Sequence, residues 1–171
     1  MKLFNCNNSP FSLLTILFLL VTPLLFLGAC DVTSSEEDDE YEEHSDPWGL
    51  ALIQGENEIA RQHQDRSISY KEGDHIELLA GEDSPLITVQ FIDQDGDFIE
   101  PDHLDEDSAL NWDIVDKEFL DIDQNPEDNK WSFHFVGLSE GETTVTFDLL
   151  HGGHSDFTSS PFTVHVHENS Q

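Results

Sequence analysis

The alternation of apolar and polar side chains in short segments after Trp48 is the feature that most constrains the fold. In residues 86–92, for example, Ile87, Val89 and Phe91 share one face of an extended chain, because successive side chains of a strand point to opposite faces. No segment carries an apolar stripe with the 3.6-residue period of a helix. The alternation predicts strands over 49–54, 58–63, 75–79, 86–92, 110–115, 119–123, 131–136, 143–150 and 161–167.

Residues with turn chemistry separate these predicted strands. Gly55-Glu56-Asn57 predicts the loop of a hairpin between the first two strands, and residues 93–97 predict a further turn. Many short strands joined by Gly, Pro and Asp turns are typical of two packed antiparallel sheets. We therefore expect one all-β domain, an antiparallel β-sandwich over residues 47–171, with its first hairpin adding strands to one sheet.

The N-terminal segment has the layout of a secretory signal. An apolar stretch, residues 11–27, follows a short start that carries Lys2 and ends in small residues before Cys30. The run Leu27-Gly28-Ala29-Cys30 resembles the lipobox of bacterial lipoproteins. The resemblance implies cleavage before Cys30, attachment of lipid to that cysteine, and residues 1–29 as a signal peptide.

A transmembrane anchor is the other interpretation of this apolar stretch. Thr15, Thr22 and Pro23 interrupt it, and it falls near the lower limit of the roughly 20 residues that a spanning helix needs. We therefore favour the lipoprotein signal, which makes the membrane a partner through the lipid on Cys30.

The charge of the chain is strongly negative. It has 37 acidic and 6 basic residues, for a formal net charge of −31. Such a surface repels nucleic acid and attracts cations. Residues 30–46 combine many carboxylates with few apolar side chains, so we expect them to form a disordered tether.

Two resemblances in the tether point to different membranes. Its acidic run is similar to the surface-export signal of Bacteroidetes lipoproteins, which implies an outer-membrane location. Asp31 is instead similar to the inner-membrane retention signal of enteric bacteria. We favour the outer membrane; both faces, periplasmic and external, and an envelope protein partner stay open.

Residues 75–167 resemble bacterial Ig-like domains. The matching segments are a strand that leads into an Asp-Gly turn, a strand with Asn111-Trp112, a strand that ends at Val136-Gly137, and the segments 141–146 and 162–166. The resemblance implies an Ig-like sandwich, with the hairpin of residues 48–63 outside it. Such modules serve as spacers, adhesins or binding domains, so the resemblance implies no single function.

Histidine is the residue type that carries the most functional information. The chain has nine histidines, and the densest group is His151-Gly152-Gly153-His154-Ser155-Asp156. Two imidazoles and a carboxylate are suitable ligands for zinc or copper, and the glycines allow both rings to turn toward one point. The competing interpretation is an ordinary polar turn. The resemblance to Ig-like domains implies that this segment is a loop between the last two strands, at the same end as the turn at 93–97 and the insert containing His103.

The tripeptide His-Ser-Asp of this loop also occurs where the chain enters the domain. His44 and Asp46 are therefore the predicted additional metal ligands. The segments around His44 and His151 also resemble a set of uncharacterised His-rich lipoproteins, a resemblance that implies no known activity.

Weaker candidate sites remain. His165 and His167 share the outward face of the last predicted strand, which permits a two-ligand surface site or two solvated side chains. Asp93, Asp95 and Asp97 have the spacing of a calcium loop, but the glycine is at the fourth place instead of the sixth. Calcium is therefore less favoured than zinc or copper.

These observations predict a lipid-anchored cell-envelope protein that binds zinc or copper through its His-rich loop. The alternative is an Ig-like adhesion or scaffold module without metal. We expect no enzyme, because the chain has no G-x-S-x-G, H-E-x-x-H or phosphate-loop motif and no cysteine after Cys30.

Overall fold

A computed structural model describes residues 46–170 of the chain. The predicted signal peptide, Cys30 and the tether up to residue 45 lie outside the described residues. No helix among the described residues is long and apolar enough to cross a membrane. The strands are β1 (Gly49–Gln54), β2 (Asn57–Gln62), β3 (Ile68–Tyr70), β4 (Ile76–Leu79), β5 (Ile87–Ile92), β6 (Ala109–Ile114), β7 (Leu120–Asp123), β8 (Ser132–Gly137), β9 (Gly141–His151), β10 (His154–Thr158) and β11 (Phe162–His167), with a 3₁₀ turn at Pro101–His103.

The first sheet has six strands in the order β3-β2-β1-β5-β8-β7, and all of its neighbours are antiparallel. Its centre contains β1, in which Leu50, Ala51 and Leu52 are fully buried. Gln54 pairs with Asn57, so the predicted first hairpin is confirmed with a two-residue turn, Gly55-Glu56. The sequence-based loop was one residue too long, because Asn57 already belongs to β2.

The second sheet is built around β9, its longest strand. Leu149 pairs with Leu110 of β6 and with Phe157 of β10, so β6 and β10 lie on opposite edges of β9. Because Val145 also pairs with both Ile114 of β6 and Phe162 of β11, β11 follows β10 along the same edge. The strand β4 then pairs with the other edge of β11.

The pairing of β4 with β11 is parallel, with Val164 opposite Ile76 and His167 opposite Leu79. The predicted all-β sandwich is confirmed, but a purely antiparallel arrangement is wrong at this pair. Parallel neighbours need a long connection. Here the connection is most of the domain, since β4 is among its first strands and β11 is its last.

The two sheets enclose an aromatic core. Phe133 and Phe135 of the first sheet and Phe147 and Phe162 of the second are fully buried. The rings of Phe133 and Phe147 lie 5.2 Å apart across the sandwich. The predicted inward faces are confirmed, because these residues alternate with outward side chains: Trp131, Phe133 and Phe135; Val145, Phe147 and Leu149; Phe162, Val164 and Val166.

Two strands were not predicted, β3 and β10. The strand β3 has three residues, too few to show an alternation, and it is tied across the sandwich by the Tyr70 hydroxyl, which accepts a hydrogen bond from the Thr163 amide at 2.9 Å. In the turn before β3, hydrogen bonds from the Ser67 hydroxyl and amide hold the pKa of the Asp65 carboxyl below its usual value. The strand β10 is mostly polar, with Phe157 as its buried residue, so its pattern resembled a loop.

Candidate metal centres

The segment 151–156 is the tip of a hairpin and not, as predicted, a loop between the last two strands. His151 ends β9, His154 begins β10, and the two residues pair directly across the turn. Gly152 and Gly153 have φ angles of 56° and 89°, and positive φ at both central residues is the requirement of the tight hairpin turn that glycine favours. Directly opposite side chains share one face of a sheet, so the imidazole rings lie 5.7 Å apart.

Asp156 joins the two histidines from the same strand. The register between β9 and β10 shifts between Ser155 and Phe157, which makes Asp156 the extra residue of a β-bulge, a feature that redirects a side chain. Its carboxylate oxygens lie 3.0 Å from His154 Nε2 and 3.3 Å from His151 Nδ1.

Two further carboxylates come from the segment that precedes β6. Asp105 Oδ2 lies 3.2 Å from His151 Nδ1, and Asp107 Oδ1 lies 3.3 Å from His151 Nε2. The sequence analysis missed both residues, although it correctly placed the insert containing His103 at this end. The strand predicted at 110–115 could have pointed to them. It corresponds to β6, whose first residue pairs with Leu150, so the residues that precede β6 lie at the hairpin tip.

We call His151, His154 and Asp156 the hairpin cluster; Asp105 and Asp107 adjoin it. One ligand atom from each of His151, His154 and Asp156 lies within 4.8 Å of the others. Adjacent ligands of a tetrahedral zinc ion are about 3.4 Å apart, given bond lengths of about 2.0–2.2 Å. The measured contacts of 3.0–3.3 Å are close to this separation, so small side-chain adjustments suffice to place an ion among these atoms.

The cluster is open to solvent. The His154 side chain is 69% exposed and that of His151 is 36% exposed. The predicted ligand His44 lies outside the described residues, and Asp46 is exposed. Within residues 46–170, the carboxylates in ion-pair range of His151 and His154 belong to Asp105, Asp107 and Asp156. A ligand role for His44 and Asp46 stays a prediction.

A second group of imidazoles lies on the outer face of the second sheet. His165 and His167 point outward from β11, as predicted, and His75, which directly precedes β4, joins them. One ring nitrogen from each of the three histidines lies within 4.8 Å of the others, and all three residues are partly buried. We call His75, His165 and His167 the strand cluster. The sequence analysis missed His75, because only the parallel pairing brings it to β11.

Two other candidate side chains, those of Asp93 and His134, form hydrogen bonds with the backbone of the domain. Asp93 Oδ1 accepts hydrogen bonds from the amides of Asp95 and Asp97 at 2.8 and 3.0 Å, so this carboxylate stabilises the predicted turn. His134 Nδ1 lies 2.7 Å from the Ser84 carbonyl oxygen; because a carbonyl only accepts, the ring donates this bond.

No protein-family model and no curated protein matches this chain. Among solved structures, it is similar to domains of the S-layer protein SbsC. Domains 4 and 5 cover 56% of this chain at 16% identity with a TM-score of 0.37, domains 5–6 cover 56% at 16% identity with 0.38, and domains 4–9 cover 72% at 15% identity with 0.40. This chain spans 48%, 40% and 18% of those three structures.

Proposed function

We propose that this protein is a lipid-anchored cell-envelope protein that binds zinc or copper through the hairpin cluster. One observation carries the metal site: the paired histidines of the tight turn and the bulged Asp156 present three ligand atoms within 4.8 Å. Two imidazole nitrogens and one carboxylate oxygen form a donor set that both metals accept.

The surroundings of the cluster favour cation capture. Asp105 and Asp107 add negative charge beside His151, in a chain whose net charge is −31, and such a field raises the local concentration of cations. Three protein ligands leave a fourth coordination position for water or an incoming ligand. An open position at an exposed hairpin tip suits capture of an ion and its transfer to an envelope partner; it does not require catalysis.

The cellular location is proposed from the N-terminal sequence. The lipobox-like run 27–30 follows an apolar stretch, which supports lipid attachment at Cys30 and, with the acidic tether, an outer-membrane position. We predict that Cys30→Ser either leaves an unprocessed precursor or releases the protein from membranes. Membrane fractionation and intact-mass measurement test this. A processed Cys30→Ser protein that stays in the membrane fraction would exclude the lipid anchor.

The metal proposal is tested by calorimetric titration of Zn²⁺ and Cu²⁺ into the full chain in detergent. We expect the double variant His151→Ala, His154→Ala to lose one ion per chain relative to wild type. The matched control is His63→Ala with His103→Ala, which also removes two exposed imidazoles and should bind as wild type does.

A stability measurement gives a second readout. An ion that binds only the folded chain stabilises it by about 2.7 kcal/mol at a hundredfold excess over Kd, so the hairpin double variant should show a smaller rise in melting temperature with Zn²⁺. If the hairpin double variant binds Zn²⁺ and Cu²⁺ with the same affinity and number of ions as wild type, the hairpin is only a turn. A wild-type chain that binds neither ion would leave the adhesion or scaffold module as the better description.

A further inference from the structure

The strand cluster is built from residues that only the tertiary structure brings together. The parallel register places His165 opposite Glu77 and His167 opposite Leu79. His75 lies one residue before β4, two residues from Glu77, so all of these side chains share the outer face of the sheet. The ring centroids are 4.3 Å apart for His165 and His167, 5.2 Å for His75 and His165, and 6.5 Å for His75 and His167.

These ring distances fit a shared metal ion. Imidazoles bound to one tetrahedral ion through bonds of about 2.0–2.1 Å have ring centroids about 5 Å apart, and the three measured distances bracket that value. The rings are also more sheltered than those at the hairpin tip, since the His75 side chain is 23% exposed.

A carboxylate orients the first of these rings. His75 Nδ1 lies 2.8 Å from Asp74 Oδ1 in hydrogen-bond geometry, and an ionised carboxylate only accepts, so Nδ1 donates its proton to that bond. A neutral His75 ring then carries its lone pair on Nε2. Metal-ligating histidines commonly have such a carboxylate partner on the other ring nitrogen, which sets the tautomer and raises ligand basicity.

Carboxylates also flank the cluster on both sides. His165 has Glu77 opposite it on β4 and Glu142 opposite it on β9. Glu77 Oε1 lies 3.7 Å from His75 Nε2. This places negative charge beside the three imidazoles.

We propose that His75, His165 and His167 form a second metal site, a three-imidazole site for Zn²⁺ or Cu²⁺ with a fourth position open beside Glu77. This site goes beyond the function proposed above, because it shares no residue with the hairpin cluster. Its donor set contains only nitrogen, which suits the borderline transition metals and disfavours Ca²⁺ and Mg²⁺. A bound ion would also connect β4 to β11, since His75 adjoins the first strand and the other two ligands belong to the second.

The test is metal content of the full chain in detergent after equilibrium dialysis against Zn²⁺ or Cu²⁺. We expect His75→Ala to lose one ion per chain and the hairpin double variant His151→Ala, His154→Ala to lose the other. His63→Ala is the matched control, an exposed imidazole directly after β2 that contacts the Ser69 hydroxyl, and it should retain the wild-type content. Because His75 lies outside the core, circular dichroism of His75→Ala should match that of wild type.

The outcomes separate the two proposals. If His75→Ala retains the wild-type metal content and affinity, the strand site is refuted, whatever the hairpin variant shows. If His75→Ala loses an ion and the hairpin double variant loses none, the strand site stands and the hairpin proposal fails.

A spectroscopic readout identifies the ligands. In the hairpin double variant loaded with Cu²⁺, electron paramagnetic resonance should show coupling to three nitrogens, and His75→Ala in that background should reduce it to two. Unchanged coupling would overturn the assignment. Asp74→Asn should weaken Zn²⁺ binding by about tenfold, the lower end of the effect of such orienting carboxylates, because Asp74 is largely exposed.

Discussion

The hairpin cluster and the strand cluster both gather histidines on the second sheet, but they are assembled in opposite ways. The hairpin ligands lie within residues 151–156, brought together by two glycines with positive φ and one bulge. The strand cluster combines His75, from the first third of the domain, with two residues of its last strand. A turn can therefore place side chains by local geometry alone, whereas a site across parallel strands exists only if the whole sandwich forms.

The two clusters also differ in donors and exposure. The hairpin cluster mixes imidazole with carboxylate and lies at an exposed tip, with His154 69% exposed. The strand cluster uses imidazole alone, and its three residues are partly buried. We therefore expect the strand cluster to bind more selectively and the hairpin cluster to exchange ions more readily.

Acidification should produce the largest difference in metal affinity between the two clusters. Imidazole must be neutral to bind metal. Where protons compete with the metal for these ring nitrogens, each competing proton lowers the apparent affinity by about tenfold per pH unit. The strand cluster, with three imidazoles, should lose about a thousandfold per unit, and the hairpin cluster, with two, about a hundredfold. Zn²⁺ titrations of the two single-site variants at several pH values measure the slopes. Equal slopes would mean that the clusters do not differ in imidazole number.

A clash at Gly137 should weaken the strand cluster selectively. A Cβ at this position of β8 would lie 2.4 Å from the Leu79 carbonyl oxygen, so Gly137→Ala must displace the end of β4. We expect a loss of about 1–3 kcal/mol in unfolding free energy and weaker Zn²⁺ binding at the strand cluster alone. Chemical denaturation and dialysis measure the two effects.

Gly49→Ala is the matched control for this clash. Its Cβ would lie 2.5 Å from the Gln62 carbonyl oxygen in the first sheet, so it should destabilise similarly and leave both clusters intact. If Gly49→Ala and Gly137→Ala weaken metal binding equally, β4 placement does not control the strand cluster.

Backbone strain at Gly153 should weaken the hairpin cluster selectively. Its φ is 89°, and an added Cβ would have no heavy atom within 4 Å, so Gly153→Ala acts through the backbone alone. We expect a loss of about 1–2 kcal/mol and weaker binding at the hairpin cluster, because the turn holds the two rings in position.

The control for the turn is Gly55→Ala, at the tip of the β1–β2 hairpin. It also has positive φ and open space around its Cβ position, but no ligand flanks it. Thermal melts should show similar losses for both variants, and calorimetry should show a loss of metal binding for Gly153→Ala alone. Retained binding would show that the cluster tolerates a different turn.

A change in salt concentration should produce the smallest difference in metal affinity between the two clusters. Raising ionic strength from about 0.01 to 0.15 M shortens the screening length from about 30 to 8 Å. Both affinities should fall, because the net charge of −31 attracts cations, and the exposed hairpin cluster should fall more, by about tenfold at most. Titrations of the single-site variants over this range test it; a larger fall at the strand cluster would contradict the assigned exposures.

Much of the fold was predictable because strand alternation is a local signal. The inward positions of β5, β8, β9 and β11 follow from period two and are all buried. The strand β10 was missed because its HSDFT pattern is polar, with Phe157 as its buried residue. The carboxylates of Asp105 and Asp107 were missed because their position depends on where β6 pairs along β9.

Local signals in the sequence were enough to predict the layered all-β class and to single out His151, His154 and Asp156 as a group, since alternation and a Gly-Gly turn act over a few residues. The parallel pairing at the edge of the second sheet, in contrast, depends on contacts between distant parts of the chain. There, β4 pairs with a strand from the other end of the domain, and the choice depends on burying the apolar faces of both sheets at once. The position of His75 beside His165 and His167 follows from that choice, because strand register sets which outward side chains meet.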